Sequence, residues 1–177
     1  MIVKILIVLA IIIAIPLIVA IFTRKNYSVE QQVTINKPRN LVFDYLKYLK
    51  NQDNFSVWAN MDPNMKKEYR GTDGTVGFIS AWESSNKKVG KGEQEIKKIT
   101  EGEKIDFEIR FMEPFAGKAN ATLITESVNE NQTRVLWHFD SRMKYPMNLM
   151  LVFMNMDKMV GNDLATGLSN LKNVLEK

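Results

Sequence analysis

Two hydrophobic patterns divide the chain. From Ile5 to Phe22 there is no charged residue, and Pro16 is the one helix breaker. Eighteen residues at about 1.5 Å each make roughly 27 Å, close to a hydrocarbon core, and Ile2 and Val3 lengthen the run. Lys4 can reach the headgroups along its own stem. The run is apolar on every face, which argues against a core helix. The competing reading is a cleaved signal peptide. Such peptides have an apolar core of roughly 7–15 residues and a small-x-small cleavage site. Here the core is longer, and the best candidate site, Ile18-Val19-Ala20, opens on a bulky residue. Residues 1–25 therefore read as a single-pass membrane anchor (residues 2–22) with a short tether, and residues 26–177 as one domain.

Beyond the anchor the pattern changes to periods of two and of three to four. Tyr27 to Ile35 reads as a strand with Val29, Gln31, Val33 and Ile35 on one face. Asn36 and Pro38 mark a helix start, and Leu41, Val42, Tyr45, Leu46 and Leu49 keep helical spacing to about Lys50. A second short helix is expected over Asn51 to Trp58. Strands follow over Met65–Arg70, Val76–Glu83, Val89–Ile99, Ile105–Phe111, Phe115–Thr125 and Thr133–Arg142. Gly71-Thr72-Asp73-Gly74 is read as a hairpin turn. The clearest alternation sets Ile105, Phe107, Ile109 and Phe111 against Asp106, Glu108 and Arg110. Consecutive strands with short connections predict an antiparallel meander.

The chain closes on one long helix predicted from Met147 to Lys177. Its apolar positions, among them Leu149, Phe153, Met156, Val160, Leu164, Leu168, Leu171 and Leu175, recur every three or four residues. Gly161 and Gly167 lie inside it at a cost of about 1 kcal/mol each relative to Ala. Small residues there would let the sheet or a ligand come close.

Composition narrows the chemistry. Lys and Arg exceed Asp and Glu by only four, too little to point to nucleic acid. The basic excess after the apolar run (Arg24, Lys25, Lys37, Arg39) favours a cytoplasmic domain. There is no cysteine and a single histidine, so neither a disulfide nor a conventional zinc site is expected, and no cofactor fingerprint appears. His138 alternates with Trp137 and Phe139 and so points to the opposite face. As a base it would need a partner such as Asp140 or Glu108. Strand carboxylates, Glu83 and Glu108 first, could act as acid or base only if turned into an apolar interior. If Trp82 faces inward, simple alternation turns Glu83 outward unless a bulge intervenes.

The order strand, two short helices, six strands and long helix resembles the START-like helix-grip superfamily, which includes Bet v 1-type proteins. The closer resemblance is to the bacterial SRPBCC / polyketide cyclase-dehydrase family. It is carried by Val33-Thr-Ile-Asn-Lys-Pro38 with Val42-Phe43-Asp44-Tyr45, by Met61-Asp62-Pro63-Asn64-Met65, by Trp82-Glu83, by Phe111-Met-Glu-Pro-Phe115 and by Met156-Asp157-Lys158-Met159 leading into Gly161. The resemblance implies an α+β fold, a curved antiparallel sheet wrapped around the long C-terminal helix, with a cavity between them. Phe78, Trp82, Phe107, Phe111, Trp137 and Phe139 would line the sheet side; Met150, Phe153, Met154 and Gly161 would line the helix side, where adaptable thioethers suit an irregular apolar ligand. Three functions are open. The first is a non-catalytic module that holds a small hydrophobic ligand, lipid or polyketide-like, near the bilayer. The second is a metal-free cyclase or dehydratase using a cavity carboxylate or His138. The third is a chaperone- or stress-associated interaction module with an exposed apolar patch.

Overall fold

The computed structural model describes residues 1–177. Helix α1 covers Ile2–Phe22, contains Pro16 and leaves only Ala20 buried. It is long and apolar enough to cross a membrane. Strand β1 (Asn26–Ile35) follows, then α2 (Arg39–Lys47). Two 3-10 turns, Leu49–Asn54 and Trp58–Asn60, stand where the short second helix is expected. The remaining strands are β2 (Lys66–Arg70), β3 (Ile79–Glu83), β4 (Lys91–Thr100), β5 (Lys104–Glu113), β6 (Gly117–Asn129) and β7 (Gln132–Arg142). A 3-10 turn at Met147–Leu149 leads into α3 (Met150–Phe153) and α4 (Met156–Leu175).

All seven strands form one antiparallel sheet in the order β1-β7-β6-β5-β4-β3-β2. β2 to β7 are the expected meander, and β1 returns beside β7, with Val29 opposite Phe139. Alternation decides which face is buried. Ile105, Phe107 and Ile109 of β5 and Val135, Trp137 and Phe139 of β7 are buried, while their neighbours face outward. Helix α4 closes the inner face through Val160, Leu164, Leu168 and Leu171. Gly161 sits against β1, where a Cβ would lie 3.2 Å from Val29 Cγ1; at Gly167 a Cβ would lie 2.9 Å from Trp137 Cζ3. Both glycines set how closely the helix approaches the sheet.

Two expectations are corrected. Gly71 to Gly74 is not a tight hairpin. β2 and β3 are joined by the longer segment Gly71–Phe78, whose Gly71, Gly74 and Gly77 all have positive φ, and β3 begins at Ile79 instead of Val76. That loop also anchors a neighbouring segment: the Asp73 carboxylate accepts from the backbone N–H groups of Leu49 (2.8 Å) and Lys50 (3.2 Å), fixing the start of the 3-10 segment. The C-terminal helix is also not continuous from Met147. It breaks at Met154 and restarts with Asn155 as N-cap, whose side chain accepts from Lys158 N–H at 2.9 Å.

The segment after α1 is packed down. Thr23 O and Ala20 O accept from the Asn148 side-chain amide (3.1 and 2.6 Å), Lys25 O accepts from Met143 N–H (2.8 Å), and Arg24 pairs with Asp157 at 2.6 Å.

Candidate functional site

A cavity of about 270 Å³ lies between the inner face of the sheet, the 3-10 segment after α2 and the start of α4. Fourteen of its 21 lining residues are hydrophobic. Ser80 and Trp82 of β3, Ile109 and Phe111 of β5, and Trp137 and Phe139 of β7 form the sheet wall; Met156 and Val160 form the helix wall. All three tryptophans of the chain, Trp58, Trp82 and Trp137, touch it.

The aromatic wall is held by edge contacts, which suit ring quadrupoles. Trp58 meets Trp137 at 6.1 Å and 84°, Phe55 meets Trp137 at 5.7 Å and 69°, and Trp82 meets Phe111 at 6.2 Å and 74°. Trp82 can lie flat over β4 only because residue 92 is glycine. A Cβ there would stand 2.5 Å from Trp82 Cζ2 and 2.6 Å from Arg110 O.

Lys67, Ser80 and Gln94 bring polar groups to the cavity from strands, while Gln52, Asp53 and Ser56 come from the segment after α2, which has no clear period. Gln52 is 8% exposed, and its amide nitrogen has no hydrogen-bond partner. Asp53 accepts from the Tyr69 hydroxyl (2.8 Å) and pairs with Lys67 (2.8 Å) at the exposed edge. Burial and the Asp53 carboxylate push the Tyr69 phenol up to about 12. Asp163 of α4, behind Trp58, has its pKa raised by burial, partly offset by the hydrogen bond from Trp58.

The residues expected to line the cavity divide into three groups. Trp82, Phe111, Trp137 and Phe139 are on its wall. Phe78 and Phe107 are buried in the core beside it. Met150, Phe153, Met154 and Gly161 are not on the wall, because the break at Met154 changes the phase of the helix; Met156 and Val160 take the helix side, and Phe153 is 80% exposed. The candidate acids and base sit outside. Glu83 is exposed and pairs with Lys91 at 3.0 Å, in the unbulged β3–β4 register. Glu108 meets Arg110 (2.5 Å) and Lys118 (3.2 Å), which hold its carboxyl below the usual range. His138 is on the outer face near Ser28 (3.3 Å), Glu30 (3.6 Å) and Asp140 (3.8 Å). Sequence reasoning missed Gln52, Asp53 and Ser56, which sit in or beside the polar run Lys50-Asn51-Gln52-Asp53-Asn54, where no periodicity distinguishes an inward from an outward residue.

Solved structures share this architecture at low identity. Norcoclaurine synthase from Thalictrum flavum, solved with dopamine and hydroxybenzaldehyde, aligns with a TM-score of 0.61 at 10% identity, covering 88% of this chain and 88% of that one. The Aha1 dimer from Colwellia psychrerythraea aligns at 0.57 and 16% identity over 85% of this chain and 96% of that one. A Thermus thermophilus protein aligns at 0.60 and 16% identity over 84% of this chain and 97% of that one. These likenesses establish the fold alone. A search of curated proteins returns no match. The family model described as polyketide cyclase / dehydrase and lipid transport matches residues 27–176, which is all of the sheet but its first residue, together with the C-terminal helix. With the helix-grip architecture and this match together, the chain belongs to the polyketide cyclase / dehydrase and lipid transport family of the SRPBCC superfamily.

Proposed function

We propose that this protein is a membrane-anchored, non-catalytic binding module for a small hydrophobic ligand. Residues 1–25 serve as anchor and tether, and residues 26–177 hold the ligand between the sheet and α4. The observation that carries this reading is the cavity itself. It is largely apolar, has an aromatic wall, and contains one buried amide, Gln52, with an unused donor. An unpaired buried donor costs about 1–3 kcal/mol, and a ligand carbonyl or hydroxyl would offset that cost while the apolar body fills the rest. The volume, about 270 Å³, lies just below the range of common ligand pockets, about 300–1,000 Å³, so the bound part is a single ring system or a short chain. The outward placement of Glu83, Glu108 and His138 favours binding over acid–base chemistry. Arg24, Lys25, Lys37 and Arg39 after the span favour a cytoplasmic domain.

Because every tryptophan is on the cavity wall, intrinsic fluorescence reads occupancy directly. Titrating the full-length protein in detergent with a brominated medium-chain fatty acid should quench emission saturably, and Val160→Trp, which fills the cavity, should abolish the saturable phase. Quenching that rises linearly and equally in both proteins would count against the reading.

A further inference from the structure

We propose that the end of the sheet nearest α1 rests on the bilayer surface and that the cavity loads through that end, directly from the membrane. This rests on the reading of α1 as a membrane span. The strand registers identify the end. Asn26 of β1 pairs with Arg142 of β7, Ala119 of β6 with Ser141, Phe111 with Gly117, Glu113 with Lys91, and Lys91 with Glu83. The start of β1, the end of β7, the β5–β6 turn and the β3–β4 turn therefore share one end of the sheet.

That end cannot stand away from the span. Only Thr23 to Lys25 separate α1 from β1, a reach of at most roughly 14 Å from Phe22 to Asn26. The link is also fastened, because the fully buried Asn148 donates to the carbonyls of Ala20 and Thr23 and Arg24 pairs with Asp157. Asn148 lies in the turn that leads into α3, so α3 is fixed beside the last turn of the span.

The same end displays apolar side chains that the rest of the fold leaves uncovered. Phe153 is 80% exposed and Phe115 58%, and Met112, Tyr145 and Val152 are exposed as well. Basic residues flank them: Lys87 and Lys88 in the β3–β4 turn, and Arg24, Lys118 and Arg142 along a polar groove on the outer face. Aromatic residues with a fringe of Lys and Arg suit the boundary between headgroups and acyl chains. The surface is continuous with the span, which identifies lipid as its occupant.

The cavity reaches this end too. Lys88 and Lys67 are exposed and yet line it, which marks a mouth between the β3–β4 turn and the start of β2. A ligand leaving the outer part of the bilayer at this mouth would reach Trp82 and Phe111 without crossing bulk water.

The chain has no cysteine, so single nitroxide labels can be placed without background changes. Full-length I12C, F115C, F153C and V128C would be labelled and reconstituted in vesicles of neutral and anionic phospholipid. Val128, beside the β6–β7 turn, is exposed at the opposite end of the sheet. Collision with oxygen and with a water-soluble nickel chelate reports depth at each site. The expected result is an oxygen-to-nickel accessibility ratio several-fold higher at 115 and 153 than at 128, with 12 deepest. If 12 is deep while 115 and 153 match 128, the docking surface is overturned and the anchor stands. If 12 is as open to the chelate as 128, the anchor reading fails and the proposal fails with it.

Discussion

At the scale of single residues, Gly92 shows how one missing methyl group shapes the site. Gly92→Ala would press Trp82 off β4, because the new Cβ would stand 2.5 Å from its ring. Overpacking of this kind costs about 1–3 kcal/mol. The variant is expected to unfold at correspondingly lower urea concentration and to show altered tryptophan emission. Charge on the outer face gives a second expectation. Arg110 bonds Glu93 (2.7 Å), Glu95 (2.7 Å) and Glu108 (2.5 Å). The carboxyls of all three are held low: Glu93 and Glu108 chiefly by Arg110, Glu95 by Lys97 and then Arg110. A carboxyl whose pKa falls on folding stabilises the folded state above its unfolded value, about 4.3 for Glu, and this contribution disappears as acid takes pH down through the lower folded value. Stability should therefore drop below about pH 4, and Arg110→Met should flatten that acid limb in melts across pH.

Which of these residues a sequence reveals depends on periodicity. Trp82, Phe111, Trp137 and Phe139 are legible because a strand alternates strictly, so one inward residue fixes its neighbours. The same rule turns Glu83 and His138 outward, and the structure has them there. Gln52 and Asp53 sit in a 3-10 segment of six residues, too short to show a phase. They come to the cavity through the long-range contact of Asp73 with Leu49 and Lys50. A place on the cavity wall for Met150, Phe153 and Met154 follows only if one helical phase extends back from α4, and the break at Met154–Asn155 cancels that phase.

At the scale of elements, that break is a capped helix start and has a sequence signature in Asn155 with Asp157 in the first turn. Asn155→Ala should cost about 1 kcal/mol and loosen the first turn of α4, which carries Met156 onto the cavity. Hydrogen exchange confined to the start of α4 would register this; unchanged exchange there would contradict it. The joint between α1 and the sheet is the other element-level feature. Asn148→Ala leaves the Ala20 and Thr23 carbonyls without their donor, a loss of about 1–3 kcal/mol for buried groups. Lower thermal stability in detergent is expected, with greater mobility of a label at position 153.

At the scale of the whole molecule, the antiparallel meander and the closing helix are readable because each strand has one buried and one solvated face. The cavity is not readable in the same way. Aromatic and methionine spacing is the same for a filled interior as for an open one, and the space of about 270 Å³ depends on how the 3-10 segment and the start of α4 pack against the sheet. The proposed function requires this space to be occupied in the cell. The most direct measurement is native mass spectrometry of the full-length protein, purified in detergent from its own host, with extraction and identification of any bound mass. A stoichiometric apolar adduct is expected, which Val160→Trp loses while keeping its circular dichroism spectrum. A bare protein mass, with no uptake when the same preparation is incubated with a total lipid extract, would contradict it.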